Sequence, residues 1–318
     1  MESIKTYDVA CVGILCADVL AKPVDQLPEK GKLGLIDQLQ LQIGGCASNT
    51  AIDLAKIGLT SVMIGKIGAD GFGKFLQETL PHEGVATEGL SVDQSVQTSA
   101  SVVLIGRDGE RSILHCLGSN SRFTFEDINL ELVKQSKILF IAGTFLMPQF
   151  DGVGAEKLLQ LANEAGLVCC MDTAWDSTGQ WMNKIEGTLK YLDWFMPSYE
   201  EAKELSGKTE PAAIAEVFRA KGTKNVVIKL GKDGCYVKPE HEPGVYTPTY
   251  HEIEVIDTSG AGDAFCAGFL TGLVKGWDIR ECARFANAVG TYCVMAIGTT
   301  TGIKTLEETL SFMDRANL

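Results

Sequence analysis

The chain of 318 residues carries a formal net charge of −13, and 45% of its residues are apolar. So many apolar residues can bury a large core, which excludes a disordered chain. The acidity argues against nucleic acid or an anionic membrane as a partner, because their phosphates would be repelled. No stretch reaches the roughly 18 apolar residues of a membrane helix, and the N-terminal residues lack the basic and apolar regions of a signal peptide. A phosphate ligand would therefore need local backbone N–H groups and a metal ion.

Ten cysteines raise the question of a disulfide framework or a zinc site. Cys169 and Cys170 are adjacent, the others are scattered through apolar segments, and no C-x-x-C pair occurs. This distribution is typical of reduced, mostly buried thiols. We therefore expect a cytoplasmic protein.

Strand and helix patterns alternate along most of the chain. Short apolar runs predict strands at 7–15, 61–67, 138–142, 167–171, 194–196, 226–230 and 253–256. Helical patterns follow at 75–80, 152–165, 200–205, 211–221, 262–275, 279–295 and 306–315. Strands that alternate with helices of this length predict an α/β protein with a parallel sheet covered on both faces.

Two stretches interrupt this alternation within the first part of the chain. In the first stretch, the odd-numbered positions carry apolar residues, which predicts a strand with one buried face. These residues are Leu33, Leu35, Leu39, Leu41 and Ile43. Residues 98–106 and 112–116 flank an Asp108-Gly109 pair, which is typical of a hairpin turn. We predict that these strands, inserted at about 15–43 and 97–117, form a small lid sheet beside the main domain.

A glycine-rich segment follows the strand predicted at 253–256 and opens a helix. The backbone N–H groups of Gly260, Ala261 and Gly262 would form an anion site at the helix N-terminus. Asp263, in the first helical turn, could accept a proton from an attacking hydroxyl. The alternative is a tight turn whose acidic residue only stabilises the start of the helix.

A second glycine cluster also lies between a strand and a helix. Gly44 and Gly45 allow a ligand to approach the backbone closely, and Asn49 offers a donor and an acceptor to hydroxyl groups. The alternative is a glycine loop in which Ser48 or Asn49 caps the helix.

The segment 68–74 has the spacing of a P-loop but not its chemistry. Phe75 stands where a Ser or Thr should bind Mg²⁺, and Asp70 puts a negative charge in the phosphate cradle. No G-x-G-x-x-G follows the first strand, so a dinucleotide fingerprint is absent as well.

Both glycine clusters resemble the two signatures of the ribokinase-like (PfkB) carbohydrate kinases. Residues 44–68 fit the first signature and residues 257–269 fit the second at every defined position. The resemblance covers nearly the whole chain and implies a single kinase domain over residues 1–318. The implied fold is a three-layer α/β/α domain with a mainly parallel sheet and a small inserted β lid.

The implied activity is transfer of a phosphoryl group from ATP, with Mg²⁺, to a hydroxyl of a sugar or sugar derivative. Because the family includes adenosine-type kinases, a nucleoside kinase is the alternative. A non-catalytic sugar-binding protein is a further alternative, against which the intact Asp263 argues.

The resemblance also implies the roles of residues around the acceptor. Asp263 would be the catalytic base, and the N–H groups of Gly260, Ala261 and Gly262 would form the anion hole. The positions that match the family's substrate contacts are Asp18, Gly44, Gly45 and Asn49. The alternative for Asp18 is a solvated loop carboxylate. His115, on the second lid strand, is a further substrate candidate, although a lone His is more often structural.

On the nucleotide side, two motifs resemble those of the family with one departure each. Ser198 to Glu201 resembles N-x-x-E, whose acid orders Mg²⁺ through water, but Ser replaces Asn. Lys229-Leu230-Gly231 resembles T-L-G, and its Lys in place of Thr adds a cation near ATP. The remaining expected ATP-binding residues are Asp172, Gly234 and Asn287. For Glu201 the alternative is an acid that stabilises a helix start.

Two further expectations come from the resemblance. Asp257 and Ser259 match positions that hold a monovalent cation, such as K⁺, in some relatives. The lid would expose an apolar face built from Leu33, Leu35, Leu39 and Leu41. Some relatives bury this face by pairing two lids, whereas others are monomers, and we expect a homodimer.

Overall fold

The computed structural model describes residues 6–107 and 110–315. Within them lie thirteen strands: β1 Tyr7–Gly13, β2 Cys16–Lys22, β3 Gln38–Gly44, β4 Ser61–Gly68, β5 Ala86–Asp93, β6 Ala100–Ile105, β7 Arg111–Cys116, β8 Ser136–Thr144, β9 Val168–Thr173, β10 Trp194–Phe195, β11 Asn225–Lys229, β12 Cys235–Lys238 and β13 Val245–Thr247. The same residues form ten α-helices: α1 Cys46–Ile57, α2 Gly71–His82, α3 Leu130–Lys134, α4 Val153–Glu164, α5 Met182–Leu189, α6 Tyr199–Ser206, α7 Pro211–Ala220, α8 Ala261–Lys275, α9 Ile279–Val294 and α10 Leu306–Arg315.

Nine strands form one large sheet in the order β13-β12-β11-β10-β9-β8-β1-β4-β5. Neighbours from β11 to β5 pair in parallel, while β12 pairs antiparallel with β11 and with β13. The carboxyl ends of the parallel strands therefore meet at one edge of the sheet, where α/β proteins bind their ligands.

The large sheet separates two hydrophobic cores. On β1, Val9 and Cys11 face one core while Ala10 and Val12 face the other, because side chains alternate along a strand. Helices α1, α2, α8, α9 and α10 cover the first face, and α3 to α7 cover the second. This arrangement confirms the predicted three-layer α/β/α class.

Four strands form a second sheet, which we call the small sheet, in the order β3-β2-β6-β7. Because β2 starts shortly after β1 and β3 ends just before α1, the small sheet stands at the carboxyl edge of the large one. Strands β6 and β7 pair antiparallel, as the predicted hairpin requires. The turn predicted at Asp108-Gly109 lies outside the described residues.

The strand predicted at 253–256 does not form. The segment is a loop, in which Val255 and Ile256 are 57% and 53% exposed. Ile253 and Val255 line a cavity. The apolar run therefore belongs to the wall of that cavity and not to the sheet.

Two other strand predictions are wrong in extent. The first strand ends at Gly13 and not at residue 15, because β2 begins at Cys16. The strand predicted from Leu33 begins only at Gln38, and the side chain of Leu33 is exposed in the segment before it. Four strands were not predicted as separate elements, namely β2, β5, β12 and β13.

All ten cysteines are free thiols. Eight of them are buried, while Cys46 is partly exposed and Cys116 is exposed. The expected reduced and mostly buried thiols are therefore confirmed. In the described part of the chain, no helix is both long enough and apolar enough to cross a membrane.

Asp53 is a buried acid on α1 whose two carboxyl oxygens have no hydrogen-bond partner among the described residues. Burial raises the pKa of Asp53 well above its ordinary value, and the nearby Asp263 raises it further. The pKa of Asp53 is thus higher in the folded protein than in the unfolded chain. Below the pKa of the unfolded chain, Asp53 is protonated in both states and its carboxyl ionisation costs no stability. The cost grows as the pH rises from the unfolded towards the folded pKa.

We predict that Asp53→Asn raises the melting temperature by about 2–4 °C at mildly alkaline pH, because the amide carries no ionisation penalty. The gain should shrink towards acid pH, where Asp53 is protonated in both states. Melting curves of both proteins across the pH range measure this, with the exposed Asp314→Asn as the control. A lower melting temperature at alkaline pH, or a gain that is equal at every pH, would contradict the prediction.

Candidate active site

Helix α8 begins with an exposed backbone. Its N-cap is Gly260, whose φ is 76°, and Asp263 lies in its first turn. A Cβ on Gly260 would lie 2.4 Å from the Thr299 carbonyl oxygen, so only glycine fits there. The first N–H groups of a helix have no partner within the helix and carry the positive end of its dipole. Gly260, Ala261 and Gly262 all line the cavity and form a candidate anion-binding backbone, in which Ala261 N also makes a long hydrogen bond of 3.4 Å to the Thr258 carbonyl oxygen.

Asp263 is held in place from α1, which packs beside α8. Asn49 Nδ2 donates to Asp263 Oδ2 at 2.9 Å, and Asn49 Oδ1 accepts from Thr299 Oγ1 at 3.0 Å. Removal from water raises the pKa of Asp263 to about 6, although the Asn49 amide, the Lys229 ammonium and the Cys46 thiol lower it. The carboxylate is therefore oriented through one oxygen, and its pKa suits a base that works near neutral pH.

A cavity of about 680 Å³ opens in front of Asp263 along the carboxyl ends of β9 and β11. Its size is typical of a small-molecule site. The cavity brings together the expected base, the expected anion-binding backbone and the residues expected on the nucleotide side, namely Asp172, Ser198, Glu201, Lys229, Gly231, Gly234, Gly260, Ala261, Gly262, Asp263 and Asn287.

Lys229, the last residue of β11, forms a buried ion pair with Asp172 of β9. Its Nζ lies 2.6 Å from Asp172 Oδ2, and the two side chains are 11% and 3% exposed. Burial alone would lower the pKa of Lys229, but Asp172, Cys266 and Glu201 raise it above its ordinary value. A Cβ on Gly262 would lie 3.4 Å from Lys229 Nζ. The ammonium therefore adds a positive charge beside the N-terminus of α8.

Ser198 and Glu201 form a capping box at the start of α6. Ser198 N donates to Glu201 Oε2 at 3.0 Å, and Glu201 N donates to Ser198 Oγ at 3.5 Å. Thr173 Oγ1 donates to the same carboxylate oxygen at 3.0 Å. Ser198, which stands where the N-x-x-E motif has Asn, therefore uses its hydroxyl to cap α6. The Glu201 carboxylate is held at the wall of the cavity.

Gly234 and Asn287 shape the far end of the cavity. A Cβ on Gly234 would lie 2.1 Å from the Thr247 carbonyl oxygen. Asn287 Nδ2 donates to the carbonyl oxygens of Thr247 at 3.1 Å and Pro248 at 3.0 Å. Both N–H bonds of this amide therefore hold the wall of the cavity. Gly231, which has a positive φ of 59°, lies on the same wall.

Several residues expected to bind the substrate lie on the small sheet, outside this cavity. Asp18 on β2 pairs in register with Gln42 on β3 and with Ser101 on β6, and Ser101 pairs with His115 on β7. Residues opposite each other in a sheet share a face. Ser101 Oγ and His115 Nδ1 lie 3.0 Å apart. These four side chains form what we call the polar row, which crosses the small sheet.

Gly44 and Gly45 connect the polar row to the base. A Cβ on Gly44 would lie 1.9 Å from Asp18 Oδ2, so the glycine makes room for that carboxylate. Gly45 adopts a φ of 101° and starts α1, the helix that carries Asn49 towards Asp263. Asn49 therefore joins the small sheet to the anion-binding end of the cavity.

Asp257 and Ser259 lie in the loop that leads into α8. Asp257 Oδ1 accepts a hydrogen bond from Ser259 N at 2.8 Å and lies 2.7 Å from Arg111 Nη1. Asp257 Oδ2 accepts from Gly298 N at 3.0 Å. Both oxygens of this carboxylate are therefore bound by the protein itself.

The sequence patterns did not single out some residues of the site. They are Gln42, Cys46, Ser101, Arg111 and Thr299. Cys46 directly follows the Gly44-Gly45 pair, so its position in the motif could have identified it. Gln42 and Ser101 become apparent only from the register with Asp18, and Arg111 and Thr299 carry no motif.

The whole arrangement has relatives among known proteins. A family model described as pfkB family carbohydrate kinase matches residues 6–306. The chain belongs to the pfkB family of carbohydrate kinases. The resemblance stated from the two glycine signatures and the enzyme class expected from it are thereby confirmed.

Individual relatives of this carbohydrate kinase include enzymes for different substrates. It is 25% identical to an ATP-dependent 6-phosphofructokinase of Thermoanaerobacterium thermosaccharolyticum, over 99% of this chain and 96% of that protein. It is 28% identical to a ribokinase of Haemophilus influenzae, over 87% of this chain and 89% of that protein. A structure of Arabidopsis thaliana ribokinase complexed with ribose and ATP matches with a TM-score of 0.85 and 24% identity, over 98% of this chain and 99% of that one. The ribokinase-like fold is thus confirmed.

We predict that Gly44→Ala raises the acceptor KM of this carbohydrate kinase by about tenfold or more, because a displaced Asp18 carboxylate loses a contact of about 1–3 kcal/mol. The affinity for ATP should stay within about twofold, since Asp18 lies outside the nucleotide cavity. Steady-state rates and calorimetry measure the two effects.

The control for this substitution is Gly71→Ala, where an added Cβ meets nothing within 4 Å and no positive φ is required. An unchanged acceptor KM in Gly44→Ala, or an equal loss of acceptor and ATP binding, would contradict the assignment of Asp18.

Proposed function

We propose that this carbohydrate kinase transfers the γ-phosphoryl group of ATP to a hydroxyl of a sugar or sugar derivative. One observation carries the proposal: the Asp263 carboxylate, the N-terminus of α8 and the Lys229 ammonium meet at one end of the cavity. Phosphoryl transfer requires a positioned base and stabilisation of negative charge on the phosphoryl oxygens. These three groups supply both.

Asp263 acts as the general base in this proposal. Asn49 holds its Oδ2, which leaves Oδ1 for the acceptor hydroxyl. As the hydroxyl oxygen attacks the γ-phosphorus, its proton passes to the carboxylate and the bond to the departing ADP oxygen breaks. A pKa of about 6 leaves Asp263 ionised at neutral pH and makes it a stronger base than an ordinary Asp.

The transferring phosphoryl group lies against the start of α8. Its equatorial oxygens accept hydrogen bonds from the N–H groups of Gly260, Ala261 and Gly262, which are fixed before the reaction begins. The Lys229 ammonium lies beside this helix start and adds to the attraction, although its charge is shared with Asp172. Because the chain is strongly acidic and three carboxylates line the cavity, the phosphates of a nucleotide depend on the helix N-terminus, Lys229 and a metal ion for charge compensation.

ATP and Mg²⁺ are the cofactors that this site fits. Besides the Arabidopsis ribokinase with ATP, an E. coli protein of the same fold, with a TM-score of 0.83, has been solved with ATP and Mg²⁺. Three carboxylates line the cavity among the described residues, Asp172, Glu201 and Asp263. Asp263 is the base and Asp172 is paired with Lys229, so Glu201 remains to hold Mg²⁺ through water. When bound, the ion neutralises charge on the phosphate oxygens.

The nucleotide itself would lie along the cavity wall away from Asp263. The residues that would bind ATP all line this cavity and are Asp172, Ser198, Lys229, Gly231, Gly234 and Asn287. Asn287 would act by holding the wall in shape, since its amide donates to two backbone carbonyls.

The polar row favours a sugar over a nucleoside as the acceptor. Gln42, Asp18, Ser101 and His115 offer donors and acceptors at the spacing of neighbouring strands, which suits a series of hydroxyl groups. Trp175 is 55% exposed and lines the cavity, but a base stacked on it there would be the adenine of ATP and not that of an acceptor nucleoside. A thermal-shift panel of sugars, sugar acids and nucleosides, followed by ADP-release assays on the hits, separates the two candidates.

A monovalent cation such as K⁺ at Asp257 and Ser259 stays a prediction, as does the cytoplasmic location. The Asp257 carboxylate already binds Arg111 and two backbone N–H groups, so a bound cation would have to share it.

The face of the small sheet opposite the polar row supports the proposed homodimer. Leu39 and Leu41 on β3 are 67% and 41% exposed there, and Leu114 on β7 is 66% exposed. Leu33 and Leu35, in the segment before β3, add further exposed apolar surface. A contiguous apolar face of this kind on a sheet with two open edges is typical of a protein interface.

We predict that light scattering at micromolar concentration gives twice the chain mass of 34.2 kDa. Leu114→Glu should shift the protein to the monomer, because a carboxylate would be buried without a partner at the interface. Val153→Glu, at an 82% exposed position on α4, is the control and should leave the dimer intact. A wild-type protein that scatters as a monomer would contradict the proposal.

We predict that Asp263→Asn lowers kcat by about 10²- to 10⁴-fold, because the amide cannot accept the acceptor proton. The fold and the affinity for ATP should be retained, which melting curves and calorimetry check. Asp278→Asn, at the N-cap of α9, is the control acid and should keep its turnover. Near wild-type turnover in Asp263→Asn would refute Asp263 as the base.

A further inference from the structure

Arg111, the first residue of β7, reaches from the small sheet to the loop that leads into α8. Its Nη1 lies 2.7 Å from Asp257 Oδ1, and its Nη2 donates to Thr258 Oγ1 at 3.3 Å. The Arg111 and Asp257 side chains are 26% and 13% exposed. The guanidinium thus contacts two successive residues, which only Ser259 separates from the anion-binding backbone.

The Asp257 carboxylate is a fixed point in this contact. Its two oxygens accept hydrogen bonds from Ser259 N and Gly298 N. Burial alone would raise the pKa of Asp257, but these two N–H groups and Arg111 hold it below the ordinary value. The ionised carboxylate therefore ties together strand β7, the loop before α8 and the segment after α9.

The same strand carries a residue of the polar row. Side chains alternate along a strand, so Arg111 and His115 of β7 share one face. His115 is paired with Ser101, which in turn is paired with Asp18. A shift of β7 relative to the loop before α8 would therefore move the proposed acceptor residues relative to the proposed anion hole.

A second connection runs in parallel through the segment after α9. Gly298 binds Asp257, and the next residue, Thr299, donates to Asn49, which holds Asp263. Asp257 is thus linked on one side to Arg111 and on the other to the residue that orients the base.

We infer that Arg111 is a positioning residue that fixes the small sheet against the loop before α8, so that the acceptor residues and the anion-binding N–H groups adopt their reacting arrangement together. This inference rests on the proposed function of the same site. Because the two side chains of the ion pair are only 26% and 13% exposed, melting curves check that each variant keeps its fold. The effect of the ion pair is on geometry, and small displacements of reacting groups are costly to the rate.

The experiment compares Arg111→Gln, Arg111→Lys, Asp257→Asn and Arg107→Gln in the full chain. Arg107 lies in the same hairpin and also pairs with an aspartate, Asp25, but these two side chains are more exposed, at 73% and 45%. Arg111→Gln and Asp257→Asn should each lower kcat by about 10- to 100-fold, with the KM for ATP within about twofold. Arg111→Lys should retain part of the activity, and Arg107→Gln should match the wild type.

Hydrogen exchange provides a readout that a merely structural role would not move. The acceptor alone should protect residues 257–262 in the wild type and in Arg107→Gln, and it should fail to do so in Arg111→Gln. A wild type that is inactive with every acceptor would refute the proposed function. If the wild type is active, wild-type kcat in Arg111→Gln overturns the inference alone. A loss in Arg111→Gln that Asp257→Asn does not share also overturns it, because Arg111 would then act on the phosphate directly.

Discussion

The site depends on one electrostatic constraint: the Asp263 carboxylate is held out of water beside the N-terminus of α8, where a phosphate would bind. Asp263 would be repelled by the phosphate that the N-terminus of α8 attracts, and Asp172 and Glu201 add negative charge around it. The structure offsets this with the Asn49 amide, the Lys229 ammonium and the helix dipole. The Asp263 carboxylate is therefore ionised at neutral pH and oriented because of residues that come from α1, β11 and α8 together.

This constraint explains why the two glycine clusters are so far apart in sequence and so close in space. The first cluster starts α1, whose Asn49 holds the base, and the second starts α8, which carries the base. Each cluster also makes room for a neighbour, Asp18 beside Gly44 and Thr299 beside Gly260. The glycines thus shape both the acceptor side and the phosphate side of the site, and Asn49 connects the two.

The small sheet adds the acceptor-facing surface to this frame. Its polar row is built by strand register, and its hairpin is tied to the loop before α8 through Arg111. The opposite face of the same sheet is apolar and exposed. A single four-stranded element therefore presents polar side chains to one side and an apolar surface to the other, as period-two alternation of side chains allows.

Much of this architecture could be predicted from local patterns, and the rest could not for physical reasons. The alternation of short apolar runs and helices predicted the parallel sheet, and the second glycine cluster predicted a helix that opens at Gly260–Gly262 with Asp263 in its first turn. The apolar run at 253–256 predicts a strand but forms a loop, because the wall of a cavity contains apolar residues just as a buried strand does.

The roles of single side chains were harder to predict than the elements. Ser198 has a strong local use as a helix cap, because S-x-x-E is also the pattern of a capping box, and the structure shows that both of its hydrogen bonds form. Arg111 and Thr299 act through contacts with residues far away in sequence, so no local pattern marks them. Register across the small sheet, which brings Gln42 and Ser101 beside Asp18, likewise depends on pairing and not on composition.

The measurement that tests the central claim most directly is an NMR titration of the Asp263 carboxyl carbon in the ligand-free enzyme labelled with ¹³C-aspartate. The resonance is assigned by its absence from the Asp263→Asn spectrum. The account predicts a midpoint near pH 6, where the buried and Asn49-bound carboxyl should titrate. A midpoint near the ordinary aspartate value of about 3.9 would show that Asp263 is solvated and not poised as a base, and would contradict the account.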